Sequence, residues 1–315
     1  MNGLWTLFRF IPVLSWGVTA TVMGVAAAAG TATWRLSYLG DGLLVLAGAM
    51  AFQGIVAHGL NDLEDWRSGT DALSPGLLSG GSRVIPRRLL TEKQVGAAAR
   101  LAAAVGLACA GVLYLRHGPA VLPVAAVALW SSIAYTQAPL RLAYLPFIGE
   151  LAAGWPAVIT IVVGTTVVLT GGAGPGVWAA GAVQSTLSVA WVMQHHLPDL
   201  WADLAAAPPK VTTPAWVARR WGGAAARLVP AGYFPNGATR AVFSAALSAG
   251  LALTLHPVFW GSAALGALGA REALATDVTS VPDITRRQLK MIALTGANAA
   301  LLVLGFLAGG LATVR

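Results

Sequence analysis

The chain has 315 residues, of which 57% are hydrophobic and only 10% charged, and its mean hydropathy is +0.70. A water-soluble domain carries about 25% charged residues, so this composition excludes a soluble globular enzyme, a nucleic-acid-binding domain and a disordered chain. The formal net charge of +8 is read as that of a membrane protein whose basic loops orient it.

A bilayer core about 30 Å thick needs roughly 20 apolar residues per helix. Such stretches run over 11–30, 41–62, 94–115, 119–137, 147–170, 175–198, 238–256, 258–275 and 288–311. The expected fold is therefore all-α, a polytopic membrane protein of nine transmembrane helices in one domain spanning 1–315. Residues 1–10 carry a single Arg9 ahead of the first apolar run and no small-residue cleavage site, so that run is expected to be a retained membrane helix. The one cysteine, Cys109, lies in an apolar run and allows no intramolecular disulfide.

Two long polar segments interrupt the series, 63–93 and 199–237. With the N-terminus inside, both fall on the cytoplasmic face of a cell (inner or plasma) membrane. Arg35, Arg116 and Arg315 then lie outside and the other 17 of the 20 basic residues inside, as the positive-inside rule requires.

After the second stretch the chain reads Asn61-Asp62-Leu63-Glu64-Asp65, then Gly69-Thr70-Asp71. Asn61 and Asp65 are spaced i, i+4 and share a helix face. Gly69 is suited to end the helix and turn Asp71 back toward the same point. After the sixth stretch comes His195-His196-Leu197-Pro198-Asp199, with Asp203 again i, i+4 from Asp199. Solvated loop charges need no such pattern, yet half of the twelve acids lie in these two clusters. Two carboxylate pairs at one membrane face suit hard divalent cations, and Mg²⁺ takes one or two carboxylates together with substrate phosphates. Asn61, Asp62, Asp65, Asp71, Asp199 and Asp203 are the candidate metal ligands. The Gly81-Ser82-Arg83 segment and Lys210 follow the clusters and offer the cationic contacts of a diphosphate site. Arg87 and Arg88 read equally well as headgroup or topogenic charges.

The pattern Asn61-Asp62-x-x-Asp65-x-x-x-Gly69-x-Asp71 with Gly81-Ser82-Arg83-Val84 resembles the first signature of the UbiA superfamily of intramembrane prenyltransferases. Asp199-x-x-x-Asp203 with Lys210 and Thr212 resembles its second. Ala138-Pro139-Leu140-Arg141-Leu142-Ala143-Tyr144, running to Gly149-Glu150, is similar to the family's connector into its fifth helix. The resemblance implies a helical bundle around a central cavity, with two Mg²⁺ ions holding an isoprenyl diphosphate at the cytoplasmic rim. It further implies that Arg83, Lys210, Asn61 and Arg141 contact the diphosphate. Asp65, Asp199, His195, His196 and Tyr144 become the candidate catalytic residues. The aromatic faces of Tyr144, Trp155, Trp191 and Trp201 suit either a carbocation or ordinary packing.

The first motif is closest to the MenA-type enzymes that prenylate 1,4-dihydroxy-2-naphthoate, which makes an aromatic or quinone-precursor acceptor the expected second substrate. The second motif departs from them, with His195-His196-Leu197-Pro198 where those relatives carry Asn-Asn-x-Arg. That keeps open a membrane terpene cyclase, which needs no acceptor. A transporter, more remotely, would place its ionisable groups near the bilayer midplane, whereas the acids here cluster at one rim.

Overall fold

The computed structural model of the chain describes residues 3–31, 35–75, 81–234, 256–308 and 310–311. Among these residues there is no strand. The long helices are α1 (Phe10–Ala29), α2 (Ser37–Ser68), α3 (Glu92–His117), α4 (Val121–Ala134), α5 (Glu150–Thr170) and α6 (Pro175–His195). Two short helices follow, α7 (Leu200–Ala205) and α8 (Thr213–Trp221), then α9 (Pro257–Leu274) and α10 (Val281–Leu307). Every stretch expected to cross the bilayer coincides with one of these helices except 238–256, which lies outside the described residues.

Local sequence explains where the helices start and stop. Thr91 and Gln94 form a reciprocal capping box at the start of α3, and Arg116 and His117 stand in its last turn where they complement the helix dipole. Proline occupies the first turn of α6, α8, α9 and α10, where its missing N–H costs nothing. Gly69 adopts φ 85° and ends α2, as its place in the sequence predicts.

Among the described residues five helical stretches are long and apolar enough to cross a membrane: α1, α2, the Glu92–Ala134 stretch shared by α3 and α4, α5 and α10. The nine crossings expected from the sequence are thus not reproduced by this measure. Helix α6 departs for a physical reason. Its Gln184, Ser185, Ser188 and Gln194 are completely buried against protein rather than lipid, and Asn298 of α10 donates to Gln184 at 2.9 Å. By contrast α3 turns Leu101, Leu107 and Leu115 outward, the last 84% exposed, an apolar face that only lipid would cover.

Successive helices pack against one another in order, and α10 closes the ring by packing on α1 and α6. Helix α1 crosses α5 closely. A Cβ at Gly24 would lie 2.6 Å from the Val162 carbonyl oxygen, so only glycine lets the backbones approach this closely. Ala20, Met23, Val158, Val162, Val183 and Leu302 fill the core around that contact. The segments read from the sequence as long polar loops are instead short helices and turns that cap one end of the ring. They comprise Thr70–Leu73, Leu200–Ala205, Thr213–Trp221 and the helical residues 228–234.

Candidate active site

Helices α1, α2, α4, α5 and α6 enclose a cavity with about 1290 Å³ of unfilled space, its mouth included. Three of these helices widen to π-helical geometry where they meet it: Leu14–Val18 in α1, Met50–Val56 in α2 and Glu150–Gly154 in α5. Trp16, Gln53 and Glu150, one from each, line the wall. Wide turns of this kind re-aim side chains and recur at functional sites.

The polar end gathers both acidic clusters. Asn61 and Asp65, one turn apart on α2, are joined by an Asn61 Nδ2 to Asp65 Oδ2 bond of 2.7 Å. Lys210 Nζ donates to Asp65 Oδ1 at 2.8 Å and reaches Asn61 Oδ1 at 3.5 Å. Asp62 accepts from Arg9 Nη2 at 2.5 Å and from both the backbone N–H and the hydroxyl of Ser82. From the second cluster, Asp199 accepts from the Ser74 hydroxyl, and Arg83 donates to the Ser74 carbonyl. The two acidic motifs, 134 positions apart from Asp65 to Asp199, are thereby bound into one constellation. Arg9 and Arg83 take left-handed backbone conformations, φ 47° and 55°. Such conformations cost about 1–3 kcal/mol and persist where the surroundings determine them.

Charge is only partly balanced here. Both carboxylate oxygens of Asp71 and Oδ2 of Asp203 are buried with no hydrogen-bond partner among the described residues. Burial, then the neighbouring Asp65 and Asp62, push the Asp71 carboxyl up to about 8. Burial likewise holds Asp203 well above the usual carboxylate range. Burial opposes the charge on Lys210, but Asp65 and Asp203 more than offset it and raise the ammonium's pKa. Gly81 lies at the centre: a Cβ there would sit 2.7 Å from Asp62 Oδ1, 2.8 Å from Arg9 Nη2 and 3.1 Å from Asp71 Oδ1. Among the described residues no three His, Cys, Asp or Glu side chains converge as a ready-made metal cage. A Mg²⁺ ion that arrives with phosphate oxygens needs only one or two carboxylates, and unpartnered buried carboxylate oxygens fit that donor set.

The structure brings Asn61, Asp62, Asp65, Asp71, Asp199, Asp203, Arg83 and Lys210 to this one end, as the sequence predicts. His195 and His196 also line the cavity. Their partners differ: His196 Nε2 lies 3.3 Å from the Tyr135 hydroxyl, whereas His195 Nδ1 lies 3.1 Å from the Gln288 amide of α10. Arg141 and Tyr144 do not line it. Both turn to Glu64, Arg141 in an ion pair of 2.8 Å and the Tyr144 hydroxyl donating at 3.4 Å, with the guanidinium over the tyrosine ring. Asn61 stays in contact with both Asp65 and Lys210.

Four residues escaped the sequence reading as parts of the site. Arg9 was legible only as a topogenic charge; its signal is that it stands alone ahead of the first apolar run. Ser74 carries no signal beyond adjacency to the motifs, and Ser82 stands inside the Gly81-Ser82-Arg83 segment without anything announcing its hydroxyl's bond to Asp62. Glu150, buried and lining the cavity, accepts hydrogen bonds from Thr213 and, at 3.4 Å, from Tyr233.

No protein-family model matches the chain, and no curated protein does. Solved structures do. A UbiA homologue from Archaeoglobus fulgidus bound to GPP and Mg²⁺ superposes with a TM-score of 0.61 at 16% identity, covering 95% of this chain and 99% of that one. The same homologue bound to DMAPP and Mg²⁺ gives 0.61 at 15% identity, with the same coverage. The apo structure of a UbiA homologue from Aeropyrum pernix K1 gives 0.55 at 16%, covering 93% and 97%. At these identities the likeness shows a shared fold along nearly the whole chain.

Proposed function

We propose that the protein is a Mg²⁺-dependent membrane prenyltransferase that moves an isoprenyl group from its diphosphate to an aromatic acceptor of the quinone-precursor type. Our first choice of acceptor is 1,4-dihydroxy-2-naphthoate or a near relative. One observation carries the reading. Aspartates from two distant segments meet Arg9, Arg83 and Lys210 at the polar end of a cavity whose remaining depth is apolar. That combination suits a ligand with an anionic head and a hydrocarbon tail. The folds bound to GPP and DMAPP in the archaeal homologues support the same class of donor.

In this mechanism Asp62, Asp65, Asp71, Asp199 and Asp203 would hold Mg²⁺, two ions on this reading, where the diphosphate binds. The metal supplies Lewis-acid neutralisation of the leaving group. Arg83 and Lys210 hold diphosphate oxygens, bidentately in the first case and as a point charge in the second. Arg9 adds a third cation beside Asp62. As the allylic C–O bond breaks, these cations meet the charge that gathers on the departing oxygens. Trp16 and Trp191, in edge contact at 5.8 Å between ring centroids, wall the cavity and keep water from the allylic cation. The acceptor carbon then forms the new C–C bond, and its ring proton leaves to a base. His196 faces the cavity in the place for that role.

Orientation follows the basic residues, with the polar end cytoplasmic. The test is incubation of the detergent-purified protein with a panel of isoprenyl diphosphates, with and without Mg²⁺ and dihydroxynaphthoate, followed by mass spectrometry. A prenylated naphthoate formed only with metal is expected. Cyclised hydrocarbon formed without acceptor would establish the cyclase instead, and no consumption of any donor would overturn both.

A further inference from the structure

The apolar part of the cavity is not uniformly apolar. Trp16 Nε1, Gln53 Oε1, Ser131 Oγ and Trp191 Nε1 are buried and have no hydrogen-bond partner among the described residues, and all four residues line the cavity. Trp191 is 3% exposed and Ser131 7%. They come from four different helices, α1, α2, α4 and α6. All four lie deeper than the polar end. At 1.5 Å per residue, Trp16 lies about 10 Å along α1 from Arg9, and Gln53 about 12 Å along α2 from Asn61. Ser131 lies about 6 Å along α4 from Tyr135, and Trp191 about 7 Å along α6 from His196. Arg9, Asn61, Tyr135 and His196 all stand at the polar end, so the four unpartnered groups form a belt about 6–12 Å below it, in which the Trp16 and Trp191 rings are in edge contact.

A hydrocarbon chain filling this level would strand every one of these groups, at roughly 1–3 kcal/mol for each polar group left unsatisfied in a buried site. None of the cavity-lining residues at this level is ionisable. The ionisable ones, Arg9, His58, Asp65, Glu150, Asp199 and Lys210 among them, all lie within about a turn of the polar end. The belt therefore matches a ligand that is neutral at this depth. Its carbonyl or ether oxygens would accept from the two indole N–H groups, and a hydroxyl would donate to the Gln53 carbonyl oxygen.

We propose that the belt of Trp16, Gln53, Ser131 and Trp191 is a second binding site, taking a ring by its hydroxyl or carbonyl groups, with any carboxylate on that ring turned toward the cationic polar end. It rests on the prenyl-transfer reading for what such a ring does, namely accept the isoprenyl group, but not for whether it binds. The isoprenoid tail of the donor runs past this belt, and the ring lies against it with its polar substituents paired.

The experiment measures binding and turnover separately. Thermal unfolding of the detergent-purified protein is followed with 1,4-naphthalenediol, a neutral probe, and with an unreactive thiolodiphosphate analogue of the donor plus Mg²⁺. The naphthalenediol is expected to raise the unfolding temperature of the wild type. Gln53→Leu and Trp191→Phe are each expected to weaken its binding by about 2–13-fold, the factor for one neutral hydrogen bond. The stabilisation by the donor analogue is expected to persist in both. Ser131→Ala, which removes a single hydroxyl, is the third variant should either of the others fail to fold. In turnover, the same variants should raise the apparent KM for the acceptor far more than that for the donor. A wild type that binds naphthalenediol and yet turns over no isoprenyl diphosphate would remove the proposed reaction while leaving this site standing. Wild-type affinity for naphthalenediol in all three variants, or no binding to the wild type, would overturn the site and leave the belt as a place for water only.

Discussion

Lys210 and Asp65 lie 145 positions apart, yet their side chains meet at 2.8 Å with each about 95% removed from solvent. The pair ties the segment after α7 to the end of α2, and Lys210 also holds Asp203 through its backbone N–H at 2.8 Å. Removing one member of a buried pair strands the other charge and costs about 3–5 kcal/mol. Lys210→Ala is therefore expected to lower the unfolding temperature in EDTA. Excess Mg²⁺ with inorganic diphosphate should recover part of the loss, because a cation then returns to Asp65. Thermal unfolding with and without the two reads this directly. An unchanged unfolding temperature in EDTA would show that the pair holds nothing together.

Gly81→Ala probes the centre of the acidic end. The substitution puts a methyl group within 3.1 Å of Asp62, Arg9 and Asp71 at a φ of +68° that L side chains rarely adopt. The left-handed backbone alone costs about 1–2 kcal/mol. Turnover is expected to fall at least 100-fold, with the apparent donor affinity falling alongside. Arg9→Ala should give a smaller loss, about 10–150-fold in donor use, as for one charged hydrogen bond of roughly 1.5–3 kcal/mol. A kinetic comparison of the two variants decides it, and full activity in Gly81→Ala would remove the acidic end from the reaction.

The contrast between Lys210 and Arg9 shows what a sequence discloses. Lys210 follows an i, i+4 aspartate pair, and the spacing of Asn61, Asp65 and Gly69 dictates one helix face and its stop. Periodicity and propensity carry such local information, and the structure reproduces each element. Arg9 reaches Asp62 only because α1 packs back beside α2, and Glu150 reaches the cavity only because α5 begins with a π-helical turn. Nothing at either residue announces a tertiary contact. Arg141 and Tyr144 belong to a motif in sequence, and in the structure both meet Glu64, at 2.8 and 3.4 Å. The buried Gln184, Ser185 and Ser188 of α6 likewise read as weak hydropathy in a line of text, although they are its most deeply packed face.

Metal and diphosphate are expected to bind together. The carboxylates at the polar end are already met by Arg9, Ser74 and Lys210, and among the described residues Asp71 and Asp203 are the acids with buried unpartnered oxygens. Mg²⁺ alone would have to displace those cations without bringing oxygens of its own beyond water. Isothermal titration should find Mg²⁺ binding weak in the ligand-free protein and at least 10-fold tighter with inorganic diphosphate present. By linkage, diphosphate affinity should rise by the same factor with Mg²⁺. Equal Mg²⁺ affinity with and without diphosphate would require a preformed metal cage.

The two adjacent histidines are expected to separate in function. Their rings are 6.0 Å apart at 66°, so consecutive positions address different neighbours. His195 is fastened to Gln288 of α10 at 3.1 Å, a contact between two core helices. His196 faces Tyr135 at 3.3 Å, and its Nδ1 stands 3.9 Å from Asp203 Oδ2, beyond hydrogen-bond reach but inside the field of that carboxyl. An imidazole so placed can take the proton lost when an aromatic ring regains its aromaticity, with the acid behind it as the next acceptor. His196→Gln keeps a polar group of similar size but no base. It should slow formation of the prenylated product by about 10²–10⁴-fold, the usual range for a general base, while donor ionisation, read as diphosphate release, continues. His195→Gln should leave product formation within a few-fold of the wild type and lower the unfolding temperature, because the lost contact is between helices. Product analysis and diphosphate release, measured side by side on both variants, distinguish these outcomes. If His196→Gln slowed diphosphate release and product formation equally, His196 would belong with the donor; if it slowed neither, the ring would only fill space beside Tyr135.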